Sequence, residues 1–494
     1  MKRFICLLGW LLIFFLLIFF GHGLAMDLDE DSSELPEDFK SSYSKLVESP
    51  NDIDEEDFTE CSLFDRPFYL AGEVQFSSEF KGDYELDPAA KDDLLEIEPA
   101  LKVELFYLLS EDTSIFLENE VQYKVEYYSE IGKTDNKWIF ERTESWIFFD
   151  NIGESSGSLQ VGRQNYEDER QWWWDEQLDS IRLHYDGVGL HSEIAVAQEL
   201  APSSTEEGRI EPKHKDIFRI LSHTAWNLND ALRQDDALRL DLFGLYQNDH
   251  SSQPKVGDTV SPYEEDERDA DLLWYGARVS GEVESGDRGE FEYWVDIAGL
   301  TGKEKLLAFE ETDDGRRVVD EIISRDVSGW GFDTGITWHT GILNNMAMTL
   351  GYAWGSGDRN PEDEKNRSFR QTGFNEGDKR FQYYGELLNP DLSNLHIVTV
   401  SAGFPLGKSS FIDFIYHRYR QDYPALFLWE SDLEAEPEGI SKAIGEEWDI
   451  ALTVEEWDDI EIESSVAIFT AGDAFGTLSG ETAYRINFAI NYLF

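Results

Sequence analysis

Basic residues are scarce in this chain. Only 41 Lys and Arg stand against 102 Asp and Glu, a formal charge of −61. Such a surface repels phosphate backbones, which excludes nucleic acid as a partner. Cysteine is scarcer still, with two in 494 residues. Cys6 lies at the start of an apolar leader, so Cys61 stands alone in the rest and no intrachain disulfide can form there. The nine histidines show neither His-Glu-x-x-His nor a Cys/His cluster, so neither metal nor cofactor is expected. "GESSG" (Gly153–Gly157) matches a nucleophile elbow, but strand-like runs flank it on both sides, where the elbow needs a following helix. It reads as a hairpin turn, and no catalytic residue is assigned. "GSGDRN" (Gly355–Asn360) lacks the Lys-Ser/Thr of a phosphate loop and reads as another turn. A helical period is missing throughout, as is any apolar helix beyond the leader.

What is present falls into three parts. Met1, Lys2 and Arg3 precede an apolar run from Phe4 to Phe20, and Gly23 and Ala25 supply small residues. Residues 1–25 therefore read as a signal peptide, with an uncleaved anchor as the alternative. Residues 26–64 are rich in Asp, Glu and Ser without sustained periodicity, the pattern of a disordered tail or a short plug-like extension. From residue 65 to 494 the pattern is period two. In "YLAGEVQFSSEF", Leu70, Gly72, Val74, Phe76 and Phe80 alternate with Glu73, Gln75, Ser77 and Glu79. "IFLENEVQYKVEYY" and "GEFEYWVDIAG" alternate in the same way, and the class is all-β.

A soluble sandwich and a transmembrane barrel both alternate. Here the polar face is charged along whole strands, and the apolar face is aromatic-flanked and recurs about eighteen times, as a transmembrane antiparallel β-barrel requires. Residues 65–494 leave about 24 residues for each of eighteen strands, enough for a tilted strand and its connections. The even count takes "NRSFRQTGFNEGDKRFQYYGEL" as a loop. The closing run "AYRINFAINYLF" resembles the terminal strand of bacterial outer-membrane barrels, so the outer membrane, with its lipid and lipopolysaccharide, is the expected setting. Three consecutive tryptophans, Trp172, Trp173 and Trp174, lie between two strands. Indoles in such a connection settle at a membrane rim or stack on sugar rings at a pore mouth.

Seven segments carry a family resemblance. "LQVGRQNYEDERQWWWDEQLDSIRL", "GYAWGSGD", "FRQTGF", "YYGELLNPDLSNL", "IYHRYR", "IGEEWDIALTV" and "AGDAFG" resemble the alginate export outer-membrane porin family, in its order. The resemblance implies a monomeric eighteen-stranded channel that passes a linear acidic polysaccharide without catalysis, fed by periplasmic scaffold proteins. It also implies a pore lined by arginines and lysines and tempered by carboxylates. Carried onto this chain, Arg163 and Asp175 match the family's segment around the tryptophans. Arg142, Glu144 and Trp146 stand on the preceding strand, and Arg380 precedes "LSNL". With Arg182 and Arg485, inward by alternation, the expected pathway cations are Arg142, Arg163, Arg182, Arg380 and Arg485. Glu144, Asp175 and Trp173 are the expected acidic and aromatic companions.

Alternation by itself gives a different balance. Glu73, Glu79, Glu118, Glu120, Glu126, Glu290, Glu292, Asp296, Glu461 and Glu463 fall inward against Lys102, Lys124, Arg142, Arg182, Arg239, Arg278 and Arg485. Simple alternation also puts Arg163 in phase with Val161, on the lipid side, unless a bulge intervenes. Three readings stay open at this level: polysaccharide export, a cation-preferring diffusion porin, and an acidic surface protein whose loops bind divalent ions.

Overall fold

Alternation in the sequence becomes two faces of one closed sheet. The computed structural model describes residues 59–63, 66–87, 89, 93–128, 132–152, 157–168, 170, 172–206, 210, 215–228, 237–249, 254–260, 268–311, 317–341, 346–361, 363–373 and 383–494. The expected signal peptide and most of the acidic tail lie outside these residues.

Eighteen strands form the wall. They are β1 (Arg66–Gly82), β2 (Leu94–Ser110), β3 (Thr113–Tyr128), β4 (Lys133–Phe149), β5 (Gly157–Glu167) and β6 (Asp175–Gly187). There follow β7 (Leu190–Ala197), β8 (Ile217–Asn227), β9 (Ala237–Asp249), β10 (Arg268–Glu284), β11 (Glu290–Glu311) and β12 (Arg317–His339). The last six are β13 (Ala347–Gly355), β14 (Leu395–Pro405), β15 (Phe411–Gln421), β16 (Ala443–Trp457), β17 (Ile460–Ala471) and β18 (Thr482–Leu493). Each pairs antiparallel with its sequence neighbour, and β18 pairs with β1 from Glu73↔Leu493 to Gly82↔Tyr484. Closure leaves no open edge, so every backbone donor inside lipid finds a partner. The final residue completes the seam: Gly72 and Phe494 exchange both backbone hydrogen bonds at 2.9 Å. A Cβ on Gly72 would sit 2.5 Å from the Phe494 ring and 2.9 Å from the Lys102 carbonyl, so a larger residue would have to displace the terminal ring.

Three short strands lie outside the wall. Thr59–Leu63 forms a hairpin with the start of β1, Thr259–Val260 pairs with β12, and Lys365–Asn366 runs parallel to β12. The first falls in the segment that sequence alone left without periodicity.

The outer face is apolar. Val74, Leu183, Ile194, Ile297, Leu350 and Val400 are all exposed, far more continuous apolar surface than water tolerates. Trp138, Trp226, Trp330 and Trp448 are half or more exposed and supply outward aromatic groups. Among the described residues no helix is long and apolar enough to cross a membrane, so strands do the crossing. The rim carrying the C-terminus has short connections such as 111–112, 188–189 and 458–459, and the opposite rim carries long ones such as 198–216, 356–394 and 422–442. Short turns mark the periplasmic end and long loops the external end.

Candidate functional site

The lumen is built first by a turn around Asp168. Its carboxylate accepts the backbone N–H groups of Arg170 (3.0 Å), Trp173 (2.6 Å) and Trp174 (3.4 Å). Arg278 on β10 grips the same carboxylate at 2.5 Å. Burial raises the Asp168 pKa, but the Arg278 charge and the Trp173 N–H outweigh it, and the group is held below the ordinary carboxylate range. This turn throws the three indoles into the barrel. All are buried, Trp173 at 1% exposure. Trp173 stacks on Phe243 with ring centroids 4.7 Å apart, and Trp172 stacks on Phe369 at 6.1 Å. The indole N–H of Trp172 donates to the Tyr384 hydroxyl at 2.8 Å. The expected rim position of these rings is therefore corrected: with Asp168 anchored to β10, the connection folds inward and the indoles become its core.

Beside them sits a charged cluster. The Arg170 guanidinium lies 4.0 Å over the Trp294 ring and 5.0 Å from the Tyr383 ring. It pairs with Asp333 at 3.4 Å and Asp296 at 3.7 Å. Asp296 also binds Arg278 at 2.9 Å, and Asp333 accepts from Trp294 (2.8 Å) and Tyr384 (2.7 Å). Arg170 and Arg278 thus face Asp168, Asp296 and Asp333, a small negative excess at the point where the connections fill the barrel. Arg170 and Asp333 were not among the residues expected from sequence. The available clue was Asp168-x-Arg170 immediately before the indoles, a turn-forming acid followed by a cation.

The connection 356–394 completes the plug. Gln371 Nε2 donates to the Trp172 carbonyl at 3.3 Å, the Thr372 hydroxyl donates to the Trp173 carbonyl, and Arg370 pairs with Glu304 at 2.5 Å. Leu387, Leu388 and Leu392 are fully buried with the indoles in one apolar cluster. Glu447 accepts the N–H groups of Leu387 (2.7 Å) and Leu388 (3.0 Å), which fastens the far end. Asp391 accepts N–H groups from Gln371 (3.2 Å) and Leu392 (3.0 Å), yet burial dominates and pushes its carboxyl up to about 7.

The opposite wall stays open. Glu73, Glu79, Lys102, Glu104 and Lys124 on the inner face of β1 to β3 are half-buried, whereas toward the periplasmic end Tyr69 and Phe106 pack with Trp146 and Phe148 in a second buried cluster. Lys102 is shared by Glu73 (3.2 Å) and Glu104 (3.6 Å). Lys124 is shared by Glu98 (3.1 Å), Glu96 (3.4 Å) and Glu126 (3.5 Å). Lys81 lies 2.9 Å from Glu79, and Arg485 binds Glu79, Asp432 (3.0 Å) and the Glu386 carbonyl (2.6 Å). Along this wall a ladder of mixed charge faces the lumen.

The residues expected from sequence divide between two faces. Arg182 and Arg485 point into the barrel. Arg182 binds Glu193 (2.5 Å) and the Asn165 carbonyl (3.0 Å) and lies 4.5 Å from the Tyr166 ring. Glu144 points inward and accepts from Trp146 (3.0 Å) and the Asn165 N–H (3.2 Å). Asp175 is buried at the start of β6. Arg142 and Arg163 lie on the outer face. On β3 Leu117 and Asn119 are two apart, whereas their β4 partners Ser145 and Arg142 are three apart. That extra residue reverses the phase, so Arg142 and Glu144 face opposite sides. Arg163 stands opposite Asp179, on the face of Val161 and Ile181. Arg142 pairs with Asp179 at 2.8 Å, and the connection after β7 covers them, with Leu200 N–H donating to Asp179 at 2.9 Å. Trp173 is buried among the inward connections. Arg380 and the turn residues 153–156 lie outside the described residues.

A closed, lipid-facing barrel with an aqueous, charged lumen narrowed by inward connections defines an outer-membrane channel. The alginate export family model matches residues 115–489, and the chain belongs to that family. The alginate production protein AlgE of Pseudomonas aeruginosa is 23% identical over 378 residues, covering 72% of this chain and 74% of the relative. Among solved structures, OccK5 of P. aeruginosa superposes with a TM-score of 0.51 at 10% identity, over 86% of this chain and 97% of its own. OccAB1 of Acinetobacter baumannii gives 0.51 at 10% identity, over 86% and 96%. These two likenesses concern the fold. The protein is a bacterial outer-membrane channel and not an enzyme.

Proposed function

We infer that this channel passes an anionic exopolysaccharide, alginate or a closely related polyuronate, out of the periplasm by passive conduction. The family and the name of the curated relative support the substrate class. The observation that carries the mechanism is the pair of lysines on the open wall, Lys102 shared by two carboxylates and Lys124 by three. A uronate can replace one glutamate on Lys102 or Lys124 without leaving any carboxylate dry, because the displaced partner stays in water. Each site is therefore weak, and a chain of weak sites lets a polymer slide instead of lodging. Arg182 and Arg485 extend the row. Arg142 and Arg163 then act on the outer face, where they tie the connection after β7 to the wall. Lipid and lipopolysaccharide surround the apolar belt, and a periplasmic scaffold delivers the polymer.

A second reading has its own observation. The same ladder carries more glutamates than lysines, and Glu282, Glu290 and Glu292 add a further acidic group on the inner faces of β10 and β11. That favours small cations over polyuronate. Deleting the gene in a polymer-producing strain decides between them. Export predicts polymer trapped in the periplasm, and undiminished secretion would overturn it. With the purified channel in a planar bilayer, oligouronates should block the current, whereas cation selectivity with no block favours the diffusion porin.

A further inference from the structure

Three histidines converge on one carboxylate on the inner wall. His184 on β6 and His191 and Glu193 on β7 are all buried, and one donor atom from each lies within 4.8 Å of the others. The Glu193 Oε2 is 3.7 Å from His184 Nδ1 and 3.5 Å from His191 Nε2. Its Oε1 is 3.9 Å from His223 Nδ1 on β8. Ligand atoms bonded to zinc at 2.0–2.1 Å in a tetrahedron are about 3.3 Å apart, so small rotations close this gap.

The far nitrogen of each ring is the more telling feature. His184 Nε2 faces Gln160 Oε1 at 3.3 Å, His191 Nδ1 faces Asp186 at 2.6 Å, and His223 Nε2 faces Asp241 at 2.8 Å. In the tautomer in which each far nitrogen donates to its partner, the lone pair of the other nitrogen is directed at Glu193. A carboxylate or amide behind a histidine is the arrangement that orients metal-binding imidazoles and raises their basicity.

We propose that His184, His191 and Glu193 form a divalent metal site, zinc foremost, with His223 beside the open position. The export mechanism uses neither histidine and touches Glu193 only as the partner of Arg182. Arg182 donates to Glu193 Oε2 from Nε (2.8 Å) and Nη2 (2.5 Å), and Arg239 binds Asp241 at 2.9 Å. Both Arg182 donors fall on Oε2 and occupy its two lone pairs, so metal would be taken by the lone pairs of Oε1, which a small rotation of the carboxylate turns from His223 toward the other two imidazoles while Arg182 stays behind the ligand. Asp186, Glu193 and Asp241 outnumber the two arginines, so an entering dication meets net negative charge. Asp186 is 57% exposed, beside the 188–189 turn at the periplasmic mouth, and gives the ion a way in. Bound metal would staple β6 to β7 from the lumen side.

The test uses the full-length barrel in detergent, stripped with chelator and then dialysed against zinc. The folded wild type should retain about one zinc per barrel, and His184→Gln/His191→Gln should lose it. His417→Gln, which removes another buried inward histidine, should retain it. Cobalt should give intense visible bands in the wild type that the double variant lacks. Equal zinc retention by wild type and double variant overturns the proposal. If the double variant does not fold, the wild type decides alone, and absence of the cobalt bands overturns it.

Discussion

Arg170 lies 4.0 Å over the ring of Trp294 while its charge is shared by Asp296 and Asp333. The stack fixes the guanidinium plane and the two aspartates fix its edge, so this cation is held in place beside the inward connections. Arg170→Ala removes one of two positive charges facing three negative ones. The channel should become measurably more cation-selective, read as a shift in reversal potential across a salt gradient. Arg170→Lys restores charge without the planar fork and should recover only part of the shift. An unchanged potential in Arg170→Ala would show that the route passes elsewhere.

Trp173 is the keystone of the plug. Trp173→Ala removes a fully buried indole and should cost about 3–5 kcal/mol of packing, most of it local to the inward connection. The expected readout is larger and noisier single-channel conductance with the barrel still closed. Gly276→Ala should disturb both plug and wall, because its Cβ would sit 2.6 Å from the Trp173 ring and 2.1 Å from the Ile297 backbone carbonyl.

Lys102 and Lys124 test the ladder separately from the fold. Their ion pairs are partly hydrated, and pairs of this kind contribute about 0–1 kcal/mol each. Lys102→Gln/Lys124→Gln should therefore leave the thermal midpoint nearly unchanged while weakening block by oligouronate several-fold. Equal block by variant and wild type would place polymer contact off the β1–β3 wall.

Asp391 gives the connection 356–394 a pH dependence. Its folded-state value, about 7, lies above the ordinary carboxylate value, so the neutral form is the one the buried site favours. The stabilisation is complete below the unfolded value and is lost as pH rises toward and through 7. Amide exchange around Gln371 and Leu392, corrected for its intrinsic pH dependence, should accelerate between about pH 4 and 7, the interval set by the two values. Asp391→Asn should flatten that profile.

The barrel itself was legible in the sequence because a strand's period is two and lipid enforces it. Glu290, Glu292, Trp294 and Asp296 face inward as their spacing demands, and Ile297 faces out with 48% exposure. Strand number followed from the same regularity once residues 366–387 were taken as a connection. Arg182 and Arg485 were placed inside by the same rule.

The rule broke where the backbone stopped being regular. One extra residue in β4 turned Arg142 outward while Glu144 stayed inward, and no residue type announces such a bulge. The contents of the lumen were beyond local pattern altogether. Whether three indoles sit at a rim or in a core depends on Asp168 reaching Arg278, 110 residues along the chain, and on Trp172 reaching Tyr384, 212 residues along. Sequence by itself determined the phase of each strand, since lipid on one side and water on the other act on every residue in turn. Only tertiary structure decided which loops enter the barrel and which cations stay in reach of water, since those contacts exist only after closure brings distant strands face to face.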